Sequence, residues 1–155
     1  MKFNLRESVP IFNDDTPVAA KIAALIFLIS YVIALQSLFS LIHTAYLLFV
    51  RPLPASPQIS GDSLRRLALF VAGVTGVWEL IRGFLISKLL FRRRWAKNVL
   101  SGIALCMFLM IFWAHLMKPE NASLNLSNNL DNVAEVVAVA LLFTRESRAW
   151  FRFRA

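Results

Sequence analysis

Glu79 and Arg82 stand three residues apart in an apolar stretch, 67–91, whose only other charge is Lys88 before the basic run Arg92, Arg93, Arg94. At that spacing the two side chains meet across one helical turn, and a charge in hydrocarbon is costly enough that pairing is the economical arrangement. Three kinds of chemistry are open to the pair: an ion pair that fixes helix register, a determinant for binding a partner protein or lipid, or part of an ion or proton path. Arg82 lies nine residues from Phe91, about 13 Å of helix, so its stem can snorkel to the basic side. Glu79 is then the deeper charge, with His43, Asp131 or Glu135 as candidates for a third member.

Asp131 and Glu135 are one turn apart at the start of another apolar segment. They predict an acidic face near the outer surface, able to accept a cation or a basic partner; carboxylates at a helix start also complement its dipole. His43 and His115 both fall toward the same side, which raises the question of a metal. Their helices differ and no paired motif such as HExxH is present, so no metal or cofactor is expected. Cys106, the single cysteine, forms no intrachain disulfide and reads as a small buried hydrophobe. There is no GxSxG elbow, phosphate-cradling glycine loop or CxxC pair, and no catalytic residue is assigned.

These residues need elements to hold them. With 58% apolar and 17% charged residues in 155, the chain is far from a soluble balance. Residues 22–50 contain no Asp, Glu, Lys or Arg, so no face of that segment suits water and a soluble four-helix bundle is excluded. The expected fold is all-α, a four-helix transmembrane bundle forming one membrane domain over 1–155, with helices at about 18–50, 64–91, 96–117 and 130–150. Thr16 and Pro17 look like an N-cap and first helical residue for the first helix. Arg51, Pro52, Pro54 and Pro57 end it, and Lys118 with Pro119 closes the third. Gln36, Ser40 and His43 share a face of the first helix and suggest interhelical hydrogen bonds or a polar cavity. Ala68, Ala72 and Gly76 recur every four residues on the second, the small-residue pattern of close helix contact, and Glu79 and Gly83 continue that side. Residues 130–150 are the weakest span, because only 133–143 is continuous and apolar apart from Glu135.

The net charge of +8 is a topology signal. Twelve basic residues fall on the amino-terminal arm (Lys2, Arg6, Lys21), the turn (Lys88, Arg92, Arg93, Arg94, Lys97) and the tail (Arg145, Arg148, Arg152, Arg154), against four (Arg51, Arg65, Arg66, Lys118) on the other loops. That bias predicts both termini and the basic turn in the cytoplasm, with Arg65 and Arg66 as dissent. Trp95 and Trp150 join Arg92, Arg93, Arg94, Lys97, Arg145 and Arg148 as anchors in a bilayer with anionic headgroups, and no nucleic-acid motif accompanies the charge. Residues 2–21 are too polar for a cleavable signal, so Ile22 onward is expected to persist. Asn121-Ala122-Ser123 and Asn125-Leu126-Ser127 match glycosylation acceptors, a pattern common by chance.

The run 91–100, FRRRWAKNVL, and the ending 141–151, LLFTRESRAWF, resemble those of small four-span bacterial inner-membrane proteins of a largely uncharacterised type. That resemblance implies a multi-pass protein of the bacterial inner membrane and transfers no catalytic residue. In size and helix count the chain is also similar to immunity proteins against pore-forming toxins. The expected function is a non-enzymatic accessory protein binding a membrane or secreted protein, or itself, with immunity or inhibition as one form. A channel or transporter subunit with Glu79, Arg82 and Glu135 along an ion route is the alternative. A membrane enzyme assembled from His43, His115, Glu135 and loop asparagines is the third.

Overall fold

A computed structural model describes residues 9–50, 61–117 and 130–152, excepting the side chains of Ala114, His115 and Asp131. Among the described residues all regular structure is helical: a 3-10 turn at Pro10–Phe12, then α1 (Val18–Val50), α2 (Gly61–Leu90), α3 (Arg94–Met117), α4 (Leu130–Leu142) and α5 (Arg145–Arg152). The expected loop residues Arg51, Pro52, Pro54, Pro57, Lys118 and Pro119, both glycosylation patterns, and Lys2, Arg6 and Arg154 lie outside the described residues.

Three helices are long and apolar enough to cross a membrane: α1, α2 and the 94–113 part of α3. Their 33, 30 and 24 residues give about 50, 45 and 36 Å of helix, each more than a hydrocarbon core of about 30 Å. Large apolar side chains cover their outsides; Leu80 is 74% exposed, Phe39 70% and Phe70 69%. A surface so apolar is stable only against lipid or protein. The chain is therefore an all-α, multi-span membrane protein.

The expected single helix over 130–150 is two helices. α4 has 13 residues, about 20 Å of rise, which is shorter than the hydrocarbon. It stops because Thr144 offers its neighbours a competing set of hydrogen bonds. Oγ1 of Thr144 donates to the Leu141 carbonyl at 2.9 Å and lies 2.9 Å from Ser147 Oγ, while the Thr144 carbonyl accepts from the Arg148 N–H at 2.9 Å. Thr144 thus ends one helix and begins the next, with Glu146 in the first turn of α5 where its charge suits the dipole. At the other end of the chain, α1 begins at Val18 as expected. Thr16, read as its N-cap, instead donates to the Pro10 carbonyl at 3.0 Å and ties down the 3-10 turn that buries Ile11.

The described residues form two compact units, and α1 and α2 each run through both. One unit holds residues up to Ser30 and from Phe84 onward. Its core is a set of facing stripes: Ala20, Ala23, Ala24 and Phe27 of α1, Leu85, Ile86 and Leu89 of α2, Ala96, Leu100 and Ala104 of α3, Ala138 and Leu142 of α4, and Phe151 of α5. Alanines eight residues apart on α3 (Ala96, Ala104) and four apart on α4 (Ala134, Ala138) let the two helices approach closely. Cys106 lies two residues past Ala104, on the opposite side of α3, and is exposed rather than buried.

The other unit, Tyr31–Gly83, buries only Ala45 and Glu79. The side of α2 carrying Ala68, Ala72, Gly76, Glu79 and Gly83 is its less exposed side, as the small-residue pattern predicts. Close approach is confined to Gly83, where a Cβ would sit 2.8 Å from Tyr31 Cζ and in collision with its hydroxyl; at Gly73 and Gly76 a Cβ meets nothing within 4 Å. Overpacking typically costs about 1–3 kcal/mol, so Gly83→Leu is expected to lower the unfolding midpoint in detergent. Gly76→Ala should leave it unchanged in the same titration, and equal behaviour of the two variants would contradict this packing.

Candidate functional site

Glu79 sits eleven residues before the end of α2, about 17 Å along the helix. Its carboxylate meets Arg82 on the next turn, Oε1 to Nη1 at 3.6 Å, with the two side chains 7% and 12% exposed. The expected pair is present in the structure. Glu79 Oε2 is also buried and has no hydrogen-bond partner among the described residues, so the pairing with Arg82 does not use the full acceptor capacity of the carboxylate.

Glu135 is placed differently from the outer acidic face expected of it. The chain returns toward the basic turn along α4, and Phe143 at its end lies under the Lys97 ammonium, 4.4 Å from ring centre to Nζ. Glu135, eight residues earlier and about 12 Å deeper, is buried and accepts a hydrogen bond from Ser30 Oγ of α1 at 2.6 Å. A short hydrogen bond to a carboxylate is among the stronger polar contacts a helix pair makes. Ser30 was not singled out from sequence, although a lone hydroxyl after eight apolar residues, 22–29, is the signal that could have found it. Asp131 lies one turn before Glu135 on α4 and His115 lies near the end of α3; their side chains are not described. Among the described residues no group of three or more His, Cys, Asp or Glu could hold a metal ion.

His43 does not join Glu79. It is exposed, and so are Gln36 and Ser40, because the buried side of α1 runs through Ser30 and Ala45 instead. Ser37 and Thr44 complete this outward polar face. At 3.6 residues per turn all five fall within about a third of the helix circumference. Ser37 and Thr44 donate back to their own helix, to the carbonyls of Ile33 at 3.2 Å and Ser40 at 2.9 Å. Gln36, Ser40 and His43 make no side-chain hydrogen bond among the described residues, so the interhelical bonds expected of them are not formed there.

The basic residues do more than mark an interface. α2 ends in a reversal in which the Arg92 N–H bonds the Leu89 carbonyl at 2.9 Å and the Arg93 N–H bonds the Lys88 carbonyl at 3.0 Å. This is the glycine-type helix stop, yet its left-handed residue is Arg92, with φ of 61°. The side chain explains the choice: Arg92 Nε donates to the Trp150 carbonyl at 2.6 Å, Nη2 donates to the same oxygen, and the guanidinium lies 4.5 Å from the indole centre. Arg148 Nε donates to the Phe143 carbonyl at 2.7 Å. Arg65, one of the two residues that ran against the charge bias, donates from Nε to the Leu48 carbonyl of α1 at 3.0 Å and pairs with Asp62 at 3.4 Å. Trp95 stays half exposed beside Phe84, with ring centres 6.2 Å apart, as an interfacial anchor would.

No protein-family model matches the chain, and no curated protein or solved structure aligns with it significantly. Fold and site together define a small, all-helical, multi-span membrane protein in which two buried carboxylates and a strongly basic end are held by named contacts.

Two outcomes test this geometry. Removing an interhelical hydrogen bond in a membrane protein costs about 1–2 kcal/mol, so Ser30→Ala is expected to shift the reversible unfolding curve in mixed micelles by that amount. For Arg92, relief of the left-handed backbone is worth about 1 kcal/mol, while loss of the charged hydrogen bonds to Trp150 costs about 1.5–3 kcal/mol. Both Arg92→Gly and Arg92→Ala should therefore destabilise α5, with alanine the worse of the two; limited trypsin cleavage after Arg145 and Arg148 reads the order.

Proposed function

We propose that this chain is a non-enzymatic accessory protein of a bacterial inner membrane that binds another membrane protein through the outward polar face of α1. The observation that carries this reading is the exposure of Gln36, Ser40 and His43 on a helix whose other outward side chains, apart from the self-bonded Ser37 and Thr44, are lipid-soluble. An amide facing hydrocarbon without a partner costs several kcal/mol, and a helix from another protein removes that cost by exchanging hydrogen bonds with it. The Tyr31–Gly83 unit, with only Ala45 and Glu79 buried among its described residues, gains most from such a partner.

An immunity or inhibitory role is the narrower form of the proposal, because such a factor needs to occupy its target and perform no chemistry. The cytoplasmic side is assigned to the basic turn. The Arg92–Trp150 contact supports placing the carboxyl-terminal helix at that level, and the basic amino-terminal arm supports placing the other terminus there. The bacterial inner membrane rests on the resemblance carried by residues 91–100 and 141–151. Against the channel alternative, Glu135 is engaged by Ser30 and Glu79 by Arg82, so neither presents a bare carboxylate to an open path.

Photo-crosslinking side chains placed at Gln36, Ser40 and His43 in cells are expected to give one discrete adduct. The same probe at Phe70 or Val74, exposed on α2, should give none. Equal labelling from both helices would sink the docking face, and an adduct of twice the chain mass would make the partner a second copy. Proton flux into liposomes that disappears in Glu79→Gln would overturn the accessory reading in favour of the channel.

A further inference from the structure

α5 is short but sharply divided. Ser147 and Phe151 are buried on one side, and Arg145, Arg148 and Arg152 follow at spacings of three and four on the other. Those three arginines, with Phe143 and Ala149, line a cavity of about 500 Å³. Beneath this end lies Lys97 of α3, a buried lysine whose ammonium rests 4.4 Å from the Phe143 ring centre and 5.5 Å from that of Phe151. The charges that act on Lys97 are Arg148, Arg94 and Arg152, all of the same sign. The two ion pairs at Arg65–Asp62 and Arg82–Glu79 lie elsewhere, and no carboxylate among the described residues pairs with this group. Several cations held together, one of them buried, with no counterion among the described residues are a site for an external anion.

We propose that this cavity binds the headgroup of an anionic phospholipid carrying two phosphates. Phosphate is favoured because guanidinium groups offer paired donors that match its oxygens. Two phosphates are favoured because Arg145 and Arg152 are about 10 Å apart along the helix, too far for one phosphate to answer both. A lipid is favoured over a free anion because the site is at the basic end of the apolar helices, the end that also carries Trp95 in the first turn of α3 and Trp150 against Arg92, where the acyl chains of a bound lipid meet apolar helix surface. The inference is independent of the docking face on α1.

The test uses the full chain in mixed micelles and native mass spectrometry, with cardiolipin, phosphatidylglycerol and phosphatidylcholine supplied at equal phosphate. Cardiolipin is expected to be retained at least about tenfold better than phosphatidylglycerol, and phosphatidylcholine least. Neither Arg145 nor Arg152 makes a side-chain hydrogen bond among the described residues, so the doubly substituted chain, Arg145→Gln with Arg152→Gln, should keep its helix content by circular dichroism. It should lose about fivefold in cardiolipin retention for each arginine replaced. Arg66→Gln, a cation at the start of α2, should lose nothing. Equal retention of the two anionic lipids would overturn the two-phosphate assignment, undiminished binding by the double variant would overturn the site, and displacement of lipid by equimolar pyrophosphate would make it a free-anion site instead.

Discussion

A helix leaves its last carbonyls without donors, and near hydrocarbon no water replaces them. Arginines meet part of that demand here. Arg65 reaches the Leu48 carbonyl near the end of α1, Arg148 reaches Phe143 just past the end of α4, and Arg92 reaches Trp150 in the last turn of α5. A guanidinium suits the task because it keeps its charge, brings several donors, and complements the negative end of the helix dipole. The third of these contacts shapes its own element as well. A glycine would adopt the left-handed turn at Arg92 more cheaply, but it would leave the Trp150 carbonyl and indole without the group that fastens α5 beside the α2–α3 turn.

Interior charge obeys the same constraint. Each of the two buried carboxylates is matched with a donor of its own: Glu79 with the guanidinium one turn along the same helix, Glu135 with a serine of α1 more than a hundred residues earlier in sequence. The first match is local and specifies little beyond the direction of one side chain. The second is long-range, and it fixes how α4 is rotated and how far it slides against α1. A polar pair of that kind sets register in a bundle whose apolar stripes, rich in alanine, would otherwise tolerate several.

Much of this was legible in the residue pattern, for physical reasons that also explain what was not. Apolar length decides whether a helix can span, so α1, α2 and α3 could be read directly, and spacing three made the Glu79–Arg82 pair visible. The stop at Thr144 was not read, because its hydroxyl sits between two segments that are each good helix, and only the bonds to Leu141 and Ser147 show where the chain breaks. Helix rotation was the other blind spot. Gln36, Ser40 and His43 were rightly grouped on one face, but their spacing does not say whether that face turns inward; the buried side is set by Ser30 meeting Glu135 and by the alanines of α1. Sequence alone puts Glu135 toward the outer surface for the same reason, since its partner Ser30 is more than a hundred residues away.

That rotation has a consequence for what the molecule can recognise. Once α1 commits its alanine face to the core, its polar residues must turn outward, and their costs then diverge. Ser37 and Thr44 are short enough to return their hydroxyl protons to their own helix. Gln36 carries an amide too large to be satisfied in that way, and His43 a ring with both a donor and an acceptor. His43 is seven residues from the end of α1, close enough for a ring to reach headgroup water, whereas Gln36 is fifteen residues past Lys21, about 22 Å along the helix and further from either end. For the partner proposed above, an outward amide on α1 would set both direction and chemistry: it would favour a helix that also presents a paired donor and acceptor and discriminate against a purely apolar one of similar shape.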